Sequence, residues 1–132
     1  MMLSSKLIGY LHKKTMDKHD ILSPADITKL IKTFYDKLLL SPIKHYFVHL
    51  NLQEHLPRVE SFWNATIFPN HAYGVNLMER HASLNMKKED LKIWLSLFWE
   101  SVDELFSGDN AEITKNRASS IEYIMRKKLV KD

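Results

Sequence analysis

From Ile27 onward the apolar side chains return at intervals of three and four: Ile27, Leu30, Ile31, Phe34, Tyr35 and Leu38. That period gathers them on one face of a helix. Ser23 can cap its start, Pro24 suits the first helical position, Asp26 completes a capping pattern and Leu22 is placed to staple onto Ile27. Ser41-Pro42 ends it at about residue 40. A second apolar stripe, Leu52, Leu56, Val59, Phe62, Trp63 and Ile67, follows a cap made of Asn51 and Glu54. Pro57 removes a backbone hydrogen bond within it, so this helix is expected to kink there or to begin near His55. A third covers 87–106, with Leu91, Trp94, Leu95, Phe98, Val102 and Leu105 on one face and Gly108 just past its end. Asp109 and Glu112 cap a fourth, reaching about residue 128, with Ile113, Arg117, Ile121, Ile124 and Met125 expected toward one side.

The connections are short. IKHYFVHLN reads as a compact aromatic turn, and FPNHAYG, with Pro69 and Gly74, as an irregular stretch. No strand alternation and no repeat interrupts this pattern, so the fold class is all-α, with helix lengths suited to pairwise ridge-and-groove packing. Residues 1–22 read as an extension: a short amphipathic helix near 5–14, then the polar run TMDKHD as a mobile connection. Residues 23–132 form the domain.

Composition narrows the chemistry. The chain has 132 residues, 45% of them hydrophobic, enough for one domain that buries about two thirds of its unfolded surface. It contains no cysteine, which excludes disulfides, thiolate metal sites, a thiol nucleophile and covalent haem attachment through a C-x-x-C-H motif. Any metal must be held by nitrogen or oxygen. Lys and Arg number 19 against 16 Asp and Glu, and the excess collects near Lys13 and Lys14 and in Arg126, Lys127 and Lys128 without an aromatic-interleaved basic stripe. Nucleic acid is therefore not an expected partner. No apolar run approaches the ~20 residues of a membrane span, and the first residues lack a long apolar core with a cleavage site, so the expected location is the cytoplasm, with no membrane partner.

The usual signatures of hydrolases and nucleotide-binding proteins are absent: the three glycines, Gly9, Gly74 and Gly108, form no phosphate-cradling loop, and H-E-x-x-H and G-x-S-x-G do not occur. Among seven histidines, His45 and His49 have the i, i+4 spacing of a metal pair but no third ligand nearby, and read as solvent-facing loop residues. His12, His19 and His71 fall in loops or the frayed end and carry no assignment. His81, in LMERHASL, is either a packed core histidine or a metal ligand. The polar groups set within apolar faces are a more informative set: Tyr35 beside Ile31 and Leu38, His55 with Val59 and Phe62, Trp94 with Leu91 and Phe98, and His81 between Met78 and Leu84. Two imidazoles, a phenol and an indole facing one interior exceed the hydrogen-bonding capacity that a plain core uses.

FYDK at 34–37, EHLPRVESFW at 54–63, RHASL at 80–84 and IWLSLFWESVDELFSG at 93–108 resemble the truncated haemoglobins, specifically group III. The resemblance runs in order from about residue 27 to residue 125, and the absence of a Gly-Gly pair suits that group. It implies a shortened globin, a two-over-two helical sandwich around noncovalent haem b, iron protoporphyrin IX. His81 then matches the proximal iron ligand and the metal-binding residue. Tyr35, His55 and Trp94 match the polar side chains of the distal side, and Arg58 and Arg80 the positions that reach the haem propionates. Phe34, Val59 and Met78 would wall the pocket, and Phe47 would be the aromatic wedge. Two departures stand out. The stretch between Tyr35 and Phe47 is one residue shorter than the family's, and the usual G-N-P-M before the proximal histidine is V-N-L-M at 75–78.

What the resemblance implies for function is reversible binding of dioxygen or another diatomic, nitric oxide or carbon monoxide, by a monomer. The alternative is an enzyme that consumes dioxygen or peroxide, as a nitric oxide dioxygenase or a peroxidase-like catalyst, served by an electron-donating reductase. Tyr35 and Trp94 are the expected donors to the bound gas, and His55 is a donor, a ligand of the empty iron or a gate.

Overall fold

The computed structural model describes residues 18–68 and 85–128. Within them lie four α-helices, α1 (Pro24–Leu38), α2 (Leu52–Ile67), α3 (Lys88–Leu105) and α4 (Asp109–Lys128), and a 3-10 turn at Lys44–Tyr46; no strand occurs among the described residues. Helix α1 packs on α2 and on α3, α3 on α4, and α2 on α4. These four contacts make two helix pairs, one laid over the other, around a core that includes Ile27, Leu30, Phe34, Tyr35, Val59, Trp63, Leu91, Trp94, Phe98 and Val102.

Helix α1 begins where Pro24 predicts, but its start is held differently. Ser23 makes no side-chain cap bond. Asp26 Oδ2 instead accepts the Leu22 N–H at 2.9 Å, and Leu22 points outward, 67% exposed, so the expected staple onto Ile27 does not form. The neighbouring Ile21 is the residue that is buried. Asn51 caps α2 by accepting from Gln53 N at 3.1 Å, and the helix starts at Leu52 and runs on through Pro57. Pro57 costs only the bond to the Gln53 carbonyl, which lies in the exposed first turn where water can take its place.

Helix α4 departs from the expected face. Ile113 and Ile124 are 50% and 38% exposed and Arg117 faces solvent, whereas Ala111, Thr114, Ala118, Ile121 and Met125 are buried. The cause is close packing. Small side chains meet between α3 and α4, with Ser101 and Thr114 bonding carbonyls of their own helices through hydroxyls, and a larger face would hold the helices apart.

The polar stretch before α1, expected to be mobile, is tied down in its described part. Asp20 accepts from Asn110 N and Ala111 N at 2.8 Å each, which makes it the side-chain cap of α4, the role expected of Asp109 and Glu112. Ser107 N donates to the His19 carbonyl, Asn110 Nδ2 to that of Ile21, and the His19 ring leans on Phe106. Gly108 makes room for this clasp. Its φ is +143°, and a Cβ there would lie 2.5 Å from Asp20 Cγ. The expected helix near 5–14 lies outside the described residues.

Candidate functional site

Tyr35 leaves α1 toward α2, and His55, in the first turns of α2, meets it: Tyr35 Oη and His55 Nε2 are 2.6 Å apart, with their rings edge to face at 5.4 Å. Tyr35 is 3% exposed and His55 is half-buried. Burial pushes the Tyr35 phenol well above its ordinary value, so it stays protonated. One proton serves the contact. When His55 is neutral with its proton on Nδ1, Tyr35 donates to Nε2; with the proton on Nε2, His55 donates and Tyr35 keeps its own O–H to give elsewhere.

Aromatic rings enclose the pair. Phe47, fully buried behind the 3-10 turn, stands perpendicular to Tyr35 at 6.1 Å. Phe34 meets Tyr35 at 5.4 Å and Trp94 at 5.9 Å, both edge-on. Trp94 in turn stacks on Phe98 at 6.2 Å, and Trp63 stacks on the same Phe98 at 4.9 Å. Val59 is buried one turn beyond His55 on the same face of α2. The described fold thus brings together Phe34, Tyr35, Phe47, His55 and Trp94 from three helices and a turn. Arg58, one residue before Val59, is half-buried, and its guanidinium forms no ion pair with another described residue. His81, Arg80 and Met78 lie outside the described residues. His45 and His49 are exposed, as their loop setting predicts.

Two residues that the sequence did not single out help to shape the cluster. Phe98 is the ring on which Trp63 and Trp94 both stack. Tyr46 donates to Asp90 Oδ2 at 2.6 Å, across 44 residues of chain. Its phenol is raised by burial and by the bond to Asp90. Apolar period marks Phe98 as core and no more, and no local pattern links a turn tyrosine to an aspartate in KKED.

The donor set has a definite character. A phenol that burial keeps protonated, an imidazole and an indole sit among aromatic walls. Such a set suits a small ligand with partial negative charge on a flat apolar cofactor. It does not suit a phosphate or a hydrated cation, and no group of three His, Asp or Glu side chains able to hold a metal directly occurs among the described residues.

Known proteins give the same direction. The chain is 25% identical over 112 residues to the group 3 truncated hemoglobin ctb of Campylobacter jejuni, an alignment that takes in 79% of this chain and 88% of that protein. Its fold matches the crystal structure of a group III truncated hemoglobin from Campylobacter jejuni with a TM-score of 0.76, over 86% of this chain and 96% of that one, at 23% identity. No family model matches the chain. The fold is that of a truncated globin, and the resemblance read from FYDK, EHLPRVESFW, RHASL and the α3 block is borne out.

Proposed function

We propose that this chain is a haem protein of the truncated haemoglobin kind, holding noncovalent haem b through His81 and binding dioxygen or another diatomic gas reversibly. The observation that carries the reading is the Tyr35–His55 pair, 2.6 Å apart and enclosed by Phe34, Phe47 and Trp94. Haem, when bound, would supply an iron able to take up a diatomic gas. The chain's residues do the rest. Phe34, Phe47 and Val59 exclude water, Tyr35 offers an O–H whose proton is held by burial, and Trp94 brings an indole N–H to the same side. His55 orients the phenol and, placed on the half-buried first turns of α2, guards the way in. Arg58 and Arg80 would pair with the propionates at the pocket edge, and Met78 would add to the wall.

The same pair favours a second reading, an enzyme that consumes the bound gas, because a tyrosine and a histidine in contact can relay a proton as well as hold one. An electron-donating reductase is the partner that this reading needs. In both readings the protein works in the cytoplasm as a monomer; no helix among the described residues is long and apolar enough to cross a membrane. Residues 23–132 would carry the function and 1–22 would be an appendage whose last residues clasp α4.

The test is an absorption spectrum of the purified protein loaded with haem and of its His81→Ala variant. A strong Soret band is expected in the first, with sharply weaker haem retention and a lower melting temperature in the second, since the cofactor stabilises only the folded state. No Soret band in the parent would sink the haem reading, and an unchanged five-coordinate ferrous spectrum in the variant would sink His81. Mixing the oxygenated protein with nitric oxide, with nitrate measured and a reductant supplied, then separates carrier from enzyme.

A further inference from the structure

Helix α3 begins with an unusual cap. Lys87 is its N-cap residue, with extended backbone and no side-chain cap bond of its own, and Asp90 is the third helical residue. An acidic side chain at that third position ordinarily reaches back to the N-cap amide and closes a capping box. Here a phenol from a distant turn stands between the two. Tyr46 Oη accepts the Lys87 N–H at 3.4 Å and donates to Asp90 Oδ2 at 2.6 Å. The first of these is long and the second short, so the carboxylate is the stronger anchor.

The residues just before the cap are fixed as well. Asn85 takes the left-handed backbone, φ +54°, which Asn tolerates better than most residues, and Met86 is buried with 4% of its surface exposed. Chain entry into α3 is therefore set at three successive residues, and the last of them depends on Tyr46. On its other side Tyr46 leads directly to the gas-binding cluster. Its ring lies 6.4 Å from that of Phe47, and Phe47 lies 6.1 Å from Tyr35.

We propose that Tyr46 is a positioning residue that couples the two sides of the haem pocket: its hydroxyl completes the cap where the chain returns from the His81 stretch into α3, and its ring sets Phe47 against Tyr35. The inference rests on the haem reading above. It assigns Tyr46 no contact with haem or gas. Its action is to make the entry of the chain into α3 and the placement of the distal aromatic wedge answer to one hydroxyl.

Tyr46→Phe, which keeps the ring and removes the hydroxyl, tests this in the haem-loaded protein. Two readouts are needed, the iron–histidine stretching band of the ferrous protein for one side and dioxygen dissociation for the other. Amide exchange at Lys87 reports the cap itself. The expected result is faster exchange at Lys87, a shifted or broadened iron–histidine band, and a dissociation rate changed by about three- to tenfold, the span of one net hydrogen bond. Asp90→Ala should reproduce all three, and Asp90→Asn, which keeps an acceptor, should recover most of them.

Asp20→Ala is the control. It removes the cap of α4 and should lower the melting temperature without moving the band or the rate. If Tyr46→Phe behaves like Asp20→Ala, or shifts one readout and leaves the other, the coupling is refuted while the haem reading stands. A parent protein with no Soret band refutes both.

Discussion

Two regions of this molecule set aromatic rings around polar side chains, and they do so in opposite ways. At the far side of the α3–α4 pair, Trp99 donates to the Lys115 carbonyl at 3.0 Å and to Ser119 Oγ at 3.1 Å, and the Lys115 ammonium lies 4.9 Å over its ring. Lys115 Nζ meets Asp103 at 2.8 Å and Glu112 at 3.2 Å, and Glu122, 5% exposed, is matched by Arg126 at 2.9 Å. Every charge there has an opposite charge. The hydrogen bond to Asp103 raises the Lys115 pKa despite its burial, and the bond to Glu122 raises that of Arg126, so the two cations are held in their charged forms.

In the cluster around Tyr35 a phenol meets an imidazole, both able to turn from donor to acceptor, and burial keeps the phenol neutral. A matched network holds helices together and has nothing left to give a ligand. A phenol and an imidazole with interchangeable roles can answer to one.

The largest expected effect that separates the regions is on gas release. Tyr35→Phe in the haem-loaded protein should speed dioxygen dissociation by one to two decades, since a hydrogen bond to a ligand with partial charge is worth ~1.5 to 3 kcal/mol. Trp94→Phe should act in the same sense. Carbon monoxide, which carries less charge when bound, should leave at a rate changed far less in both. His55→Leu should alter the association rates of both gases more than dioxygen release, if the half-buried imidazole is the gate. Stopped-flow and flash-photolysis rates decide among these, and a dominant effect of His55→Leu on dioxygen release would transfer the donor role from Tyr35 to His55.

The converse holds on the other side. Lys115→Met should cost about 1 kcal/mol and no more, because Asp103 and Glu112 are 59% and 64% exposed and regain water when the lysine is lost. Urea unfolding would show a lower midpoint with an unchanged slope, and the gas kinetics should equal those of the parent. A change in dioxygen release in this variant would mean that the matched network is not purely structural.

How much of this contrast was legible in the sequence depends on distance along the chain. The stripe from Ile27 to Leu38 and the one from Leu91 to Val102 follow the helical period, and both helices lie where that period puts them. Tyr35, His55 and Trp94 were legible as polar groups on apolar faces. Those faces turn them to one interior, the resemblance assigns them one site, and the structure shows the Tyr35–His55 contact with Phe34 linking it to Trp94. Helix α4 was misread because its large apolar residues, Ile113 and Ile124, stand outside while the small Ala111, Thr114 and Ala118 make the packed face. Period alone gives more weight to large residues, and close helix packing prefers small ones. Asp20 as the cap of α4 and Tyr46 as the cap of α3 act over 90 and 41 residues. No local pattern encodes a partner that far away.

The smallest expected effect comes from alkaline pH, and it follows from the neutral phenol. Because burial raises the Tyr35 pKa in the folded protein above the ordinary 10.0, the unfolded chain loses this proton first as pH rises. The folded state binds more protons than the unfolded state above that point, so stability falls with increasing pH; below it, both states are protonated and the contribution is constant. For one tyrosine the loss is about 0.4 kcal/mol at pH 10 and grows by at most ~1.4 kcal/mol per further pH unit. Tyr46 adds a loss of the same sign, since its pKa is raised too. The clean measurement is therefore a difference: urea unfolding of the parent and of Tyr35→Phe at pH 8 and at pH 10.5, where the parent should lose more stability between the two than the variant does. Equal losses would mean that Tyr35 ionises as readily when folded as when unfolded, and the neutral, buried donor that distinguishes this region from the Lys115 network would be gone.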